Sequence, residues 1–149
     1  MGYPTAEVSQ PPIYPPPDRL IVGEVRGAEV RELLAALNTG HEGGCGTLHA
    51  NTAADVVARF EALGALADLS PSAVHAQLTS AVDVVLHLRR ATIEGNSARR
   101  IESMGVLVAS PSGRPVVRTA LRWDGRVEAR GEGWSRLAQL LGVDQRGEQ

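Results

Sequence analysis

The 149 residues contain no lysine; all 15 basic side chains are arginine. That excludes, within these residues, a phosphate-cradling loop of the form G-x-x-x-x-G-K-[ST], whose lysine ammonium reaches the β- and γ-phosphates of a nucleotide. There is one cysteine, Cys45, so no intrachain disulfide can form and the cytosol is the expected compartment. Aromatic residues make up only 3% of the chain, which leaves the core to Val, Leu, Ile and Ala. No apolar run approaches the roughly 20 residues that a membrane-spanning helix needs. The N-terminus lacks the basic and apolar regions of a signal peptide. A net charge of −2 argues against a protein that holds nucleic acid through overall charge, so no direct nucleic-acid binding is expected.

What is present fits one domain with a real hydrophobic core: 43% of the residues are apolar. Charge is uneven. Residues 1–83 carry four Arg against ten acids, and residues 84–149 carry eleven Arg against seven acids. A basic C-terminal half suits a solvated face or an acidic partner surface. Six of the nine prolines fall in residues 1–17, which predicts a proline-rich disordered leader, because proline removes amide donors and fixes φ.

From Asp18 the pattern becomes regular. Leu20-Ile21-Val22, ended by Gly23-Glu24, predicts a short buried strand. Val30, Leu33, Leu34 and Leu37 share one helical face, and Gly40 is a stop signal. Residues 45–49 predict a second strand. Thr52-x-x-Asp55 approximates a capping box before a helix with Val56, Val57, Phe60 and Leu63 on one face. Ser70-Pro71 opens a third helix carrying Val74, Leu78, Ala81 and Val82. Val84-Val85-Leu86 predicts a third strand. A meander is expected over 93–130, with turns at Ser112-Gly113 and Asp124-Gly125, followed by a short amphipathic helix at 134–141.

Strand, helix, strand, two helices, strand predicts an α/β core with a mostly parallel sheet and an appended antiparallel element. The expected organisation is a leader at 1–17, a core at 18–92, a β-rich appendage at 93–142 and a tail at 143–149.

Glu24, at the end of a strand, stands where open α/β sheets bind ligands. A carboxylate there can orient water or hold Mg²⁺ through water in phosphate hydrolysis; taken alone, Ile21-Val22-Gly23-Glu24 is a weak motif that reads first as an ordinary solvated glutamate in a strand-to-helix loop. The context adds three motifs in order: Gly23-Glu24-Val25-Arg26-Gly27, Asn38-Thr39-Gly40-His41 and Gly46-Thr47-Leu48-His49-Ala50-Asn51. On these residues the chain resembles the type II/type IV secretion ATPase family, most closely its tight-adherence (Tad) pilus and conjugal-transfer-associated ATPases. The resemblance runs from Asp18 to about Ala62 and continues less sharply through Asp83–Arg90.

The resemblance implies a partial RecA-like P-loop NTPase core and a hexameric ring, homo- or hetero-oligomeric. The ring would bind ATP with Mg²⁺ and work against an inner-membrane pilus or secretion platform protein, on the cytoplasmic side of the membrane. Gly23-Glu24 matches the end of the family's Walker B segment, which makes Glu24 the carboxylate that positions the attacking water. His49 matches the second histidine of the histidine box and would sense the γ-phosphate, donating one hydrogen bond when neutral and adding charge when protonated. Arg26 would help arrange the site or a subunit interface, or is an exposed arginine at a helix entry. Thr47 would bond near phosphate, or simply suits a strand. His41 matches the box in a structural capacity.

One departure is plain. The family's phosphate loop lies upstream of the glutamate, and here only proline-rich sequence precedes Glu24. The expectation is therefore a C-terminal half of a pilus-assembly or export motor that is inactive alone. The alternative is a non-catalytic subunit docking on a full-length hexameric ATPase.

Other constellations carry less. His41, Cys45 and His49 recur at four-residue spacing, as metal ligands on a helix do, but the intervening glycines disfavour a helix. Cys45 is expected as a small packed residue. His75 and His87 are given no role. Arg89-Arg90 and Arg99-Arg100 flank a turn around Gly95.

Overall fold

The computed structural model describes residues 19–39, 43–93 and 96–143. In chain order the elements are β1 (Ile21–Val25), α1 (Val30–Asn38), β2 (Cys45–Leu48), a 3₁₀ turn (Ala53–Asp55), α2 (Val56–Leu66), α3 (Pro71–Ala81), β3 (Val84–Ile93), β4 (Asn96–Val108), β5 (Val116–Trp123), β6 (Glu128–Arg130) and α4 (Trp134–Leu141). His41 and Gly40, the predicted helix stop, lie outside the described residues, as do Gly95, the leader and most of the tail.

The architecture is mixed α/β, but the expected mostly parallel sheet is not what forms. β1 and β2 make a two-stranded parallel sheet, and β3-β4-β5-β6 make a separate four-stranded antiparallel sheet. Val84-Val85-Leu86 is therefore not a third parallel strand. It begins β3, which turns straight back into β4 with Val84 opposite Val106 and Thr92 opposite Ser97. An apolar run specifies burial without specifying the partner or its direction, so a hairpin satisfies it as well as a crossover does. The expected boundary between core and appendage, at residues 92 and 93, falls inside this hairpin.

β1 is also less buried than its apolar run predicts. Ile21 is 76% exposed, while Val25 at the other end is 1% exposed. With one neighbouring strand, β1 alternates between the core and solvent and is not covered on both faces.

The helices follow the sequence pattern closely. Val30, Leu33 and Leu34 of α1 are buried, as are Val56, Val57, Phe60 and Leu63 of α2 and Val74 and Leu78 of α3. Together with Val25 and Leu107 they form one core, against which Val85 and Val117 pack, so helices and both sheets share it. At α3 the Ser70 hydroxyl accepts the Ala73 N–H at 3.2 Å and Pro71 occupies the first turn, as the sequence predicts. Where α2 meets α3, a Cβ on Gly64 would stand 2.4 Å from Val74 Cγ2, so only glycine lets these helices approach this closely. α4 closes a second, smaller cluster with Leu137 against Val106 and Ala120. No helix among the described residues is long and apolar enough to cross a membrane.

Arg89 faces Arg100 and Arg90 faces Arg99 across the β3–β4 hairpin, and like charges directly opposite one another repel. Two of the four find compensation: Arg89 donates to Glu102 at 2.8 Å and Arg100 to the Asp124 carbonyl at 2.9 Å.

Candidate functional site

The β1–β2 register pairs Ile21 with Cys45 and Val22 with Gly46, then slips before Val25 meets Leu48. The slip falls at Gly23-Glu24. A bulge re-aims the side chain it contains, and here that side chain is Glu24, inside β1 and not after it. The Thr47 hydroxyl donates to the Gly23 carbonyl, tying β2 to the bulge. That hydroxyl is spent on the strand pair. Cys45, expected to be packed, is exposed. Residues 45–48 are a strand, which does not align Cys45 and His49 as helical metal ligands would be aligned. No group of three or more His, Cys, Asp or Glu that could hold a metal occurs among the described residues.

Three of the predicted site residues meet. Arg26 Nη2 lies 2.7 Å from Glu24 Oε2, and His49 Nε2 lies 2.6 Å from Glu24 Oε1. Oε1 is shielded from solvent yet has no aligned hydrogen bond, so the histidine makes a close contact with it and not a well-directed bond. The Arg26 guanidinium, and secondarily the His49 imidazole, hold the Glu24 carboxyl below the usual carboxylate range against a partial loss of hydration. Glu24 correspondingly raises Arg26. The arrangement is open: Glu24 is 30% exposed, and the Arg26 and His49 side chains are 73% and 80% exposed.

Two neighbours were not singled out from the sequence. Glu29 Oε1 accepts the N–H groups of Arg26 at 2.7 Å and Gly27 at 3.0 Å, which fixes the turn between the bulge and α1. These bonds lower the Glu29 carboxyl, the Arg26 amide first among them. Its position just ahead of α1 is the signal that reveals it, since acids are favoured at helix entries. Arg59, on the first turns of α2, lines a pocket of about 530 Å³ together with His49, Asn51, Asp55, Ala58 and Ala62. Its local signal is the spacing: Asp55, Ala58, Arg59 and Ala62 fall at i, i+3, i+4 and i+7, one face of the helix that follows directly on His49–Asn51.

Comparison with known proteins agrees with the motifs. A putative conjugal transfer protein of Mycobacterium tuberculosis is 58% identical over 91 residues, covering 61% of this chain and 25% of the relative. A probable conjugal transfer protein TrbB of Sinorhizobium fredii is 42% identical over 85 residues, 57% of this chain and 25% of the relative. The conjugal transfer protein TrbB of Rhizobium radiobacter is 43% identical over 74 residues, 50% of this chain and 22% of the relative. The chain thus spans about a quarter of the length of these curated relatives. Residues 14–128, well over half of the chain, match the family described as Type II/IV secretion system protein, and the chain belongs to that family.

Proposed function

We propose that these residues form the water-activating and phosphate-sensing part of a motor ATPase that drives pilus assembly, conjugal transfer or macromolecule export. The observation that carries this reading is the meeting of Glu24 and His49, residues from two different motifs, at one end of the parallel strand pair. On this reading β1, β2 and α1–α3 are part of a RecA-like core. The assembled machine is a hexameric ring on the cytoplasmic face of a membrane, working against a membrane-embedded platform protein.

The residues fit the terminal-phosphate end of ATP. Glu24 is held ionised and can accept a proton from, or orient, an attacking water. Arg26 and His49 offer N–H donors beside it, suited to the equatorial oxygens of a phosphoryl group. Mg²⁺ bound with the nucleotide supplies charge neutralisation of the phosphates. The site as it stands has Arg26 and His49 turned onto Glu24. Engaging a phosphate requires both to leave the carboxylate, which frees Glu24 for water.

No lysine exists in these residues to hold the β- and γ-phosphates. A phosphate loop must come from sequence outside them or from another chain. That observation favours, as the second reading, a subunit that docks on a complete ATPase and does not hydrolyse ATP itself.

The test is nucleotide binding by the purified chain with Mg²⁺, alone and mixed with a full-length relative, for wild type, Glu24→Gln and His49→Ala. Weak binding alone is expected, reduced further by His49→Ala. In the mixture, Glu24→Gln is expected to bind nucleotide normally but to contribute about 10²-fold less hydrolysis. Identical binding and hydrolysis for all three chains would sink the first reading. Failure to co-elute with the relative counts against the second.

A further inference from the structure

The pocket beside His49 has the makings of a separate oxyanion site. Its walls come from the end of β2 and the outward face of α2, and Ala58 and Ala62 leave room between them. Arg59 stands in the lining, and its Nε is shielded from solvent with no hydrogen-bond partner among the described residues. A buried guanidinium N–H without an acceptor is an unmet demand, because buried donors are nearly always paired. Asn51 adds an amide donor to the same lining, and His49 adds its ring while touching Glu24 at 2.6 Å. Asp55 is the one carboxylate there. Its Oδ2 is already engaged by the Thr52 hydroxyl at 2.7 Å, which turns part of its charge toward the helix entry.

A planar donor fork, an amide and an imidazole lining one open recess suit an oxyanion and not an apolar group. Taking the neighbouring site as phosphate-facing, as proposed above, we infer that Arg59, Asn51 and His49 form a phosphate subsite next to the Glu24–His49 pair. Arg59 is its principal cation. A phosphate there shares His49 with Glu24, so occupancy of the pocket and contact between His49 and Glu24 compete. Free inorganic phosphate and the terminal phosphate of a nucleotide offer the same chemistry to this pocket.

The experiment is a titration of the full chain with sodium phosphate, against sodium chloride at equal ionic strength, following the backbone amides of Ala50, Asn51 and Ala58 by NMR. Saturable shifts with phosphate and none with chloride are expected. Arg59→Gln should weaken phosphate binding by about tenfold, the loss of one charge-assisted donor pair. Ala58→Leu, at an exposed position outside the core, should fill the pocket and abolish the shifts while leaving the rest of the spectrum in place; it serves equally if Arg59→Gln fails to fold. Asp55→Asn keeps the acceptor for Thr52 and should tighten binding severalfold. Glu24→Gln should tighten it too, by loosening the hold on His49. Parallel titrations with ADP and a non-hydrolysable ATP analogue separate the sources: shifts with the analogue but not ADP identify the nucleotide's terminal phosphate, and shifts with phosphate alone identify the free anion. Shifts that chloride reproduces, or that survive both Arg59→Gln and Ala58→Leu, overturn the subsite. Saturable phosphate binding in a chain whose Glu24→Gln variant leaves hydrolysis unchanged would retain the subsite and remove the ATPase reading; the reverse pattern would do the opposite.

Discussion

Among the described residues a glutamate meets an arginine and a histidine at three places, and two of them differ most; the third is Glu102 with Arg89 and His87 on the β3–β4 pair. At the mouth of β1, Glu24 is held by Arg26 and His49. Between α2, α3 and the β4–β5 turn, Glu61 is held by Arg114 and His75: Arg114 donates through Nε at 2.7 Å and Nη2 at 3.0 Å, and His75 Nε2 lies 2.7 Å from Oε1. The glutamates have similar exposure, 30% and 26%, but their partners do not: His49 is 80% exposed and His75 only 18%. A bidentate arginine from a distant turn and a packed histidine make a clamp that joins three elements. A single arginine contact from two residues away and an open, poorly aligned histidine make something that a ligand can undo. The chemistry of the trio therefore does not distinguish a site from a staple; solvent access and the span of chain it ties together do.

The largest effect expected from breaking this comparison is at the clamp. Glu61→Ala leaves Arg114 and the packed His75 without their acceptor and frees the β4–β5 turn from α2. A loss of about 2 kcal/mol in unfolding free energy is expected, discounted for the solvent that still reaches Arg114. Glu24→Ala in the same urea titration should leave the midpoint where it was. Equal losses at the two positions would dissolve the distinction between staple and site.

The clamp should also show in the acid limb. Arg114 first, then His75, hold the Glu61 carboxyl down at about 2, against the ordinary 4.5 of a free glutamate. A depressed folded-state value means that the stabilisation is fully present above the unfolded value and disappears as pH falls from about 4.5 toward about 2. Wild type should lose stability across that window, and Glu61→Gln should lose visibly less, with the two curves converging near its lower end. Glu24 shifts in the same direction, but its open setting should add little to the difference.

How these trios were visible in the sequence differs just as much. Glu24 and His49 stand out because each sits in a dense local motif, Gly23-Glu24-Val25-Arg26-Gly27 and Gly46-Thr47-Leu48-His49-Ala50-Asn51. His75 sits in no such motif, and Arg114 is 53 residues from Glu61, so no window of sequence contains the clamp. The same contrast holds for the fold. The buried faces of α1, α2 and α3 follow from 3.6-residue spacing within each segment. The partner of β3 does not, because pairing is decided between segments: the run Val84-Val85-Leu86 asks for cover, and β4 supplies it from the opposite direction. Glu29 and Arg59 differ from the clamp in this respect, since Glu29 bonds Arg26 and Gly27 close by in the chain and the pocket that Arg59 lines is built within residues 49–62.

A smaller effect sharpens the comparison at the histidines. His75→Ala removes a packed ring from between α2 and α3 along with its contact to Glu61, and should cost roughly 1 kcal/mol, reading out in the urea midpoint. His49→Ala removes a ring that lies mostly in water and should leave that midpoint unchanged while altering nucleotide or phosphate binding. A stability loss at His49 comparable to that at His75 would mean that the open trio is structural after all.

The smallest effect concerns Thr47, which separates two uses of one hydroxyl. It donates to the Gly23 carbonyl across the β1–β2 slip. Thr47→Val keeps the branched shape that suits a strand and deletes only that bond, so about 0.5–1 kcal/mol of stability should go. Because Gly23 precedes Glu24, losing the tie should also let the bulge relax and the Glu24–His49 contact lengthen, visible as a change in the His49 ring resonances without any ligand. Thr47→Ser keeps the hydroxyl and should restore the resonances, though not all of the stability, since the methyl group is lost. If Thr47→Val instead leaves stability and the His49 ring untouched but weakens phosphate binding, the hydroxyl serves the ligand directly, and the geometry of the slip has another cause.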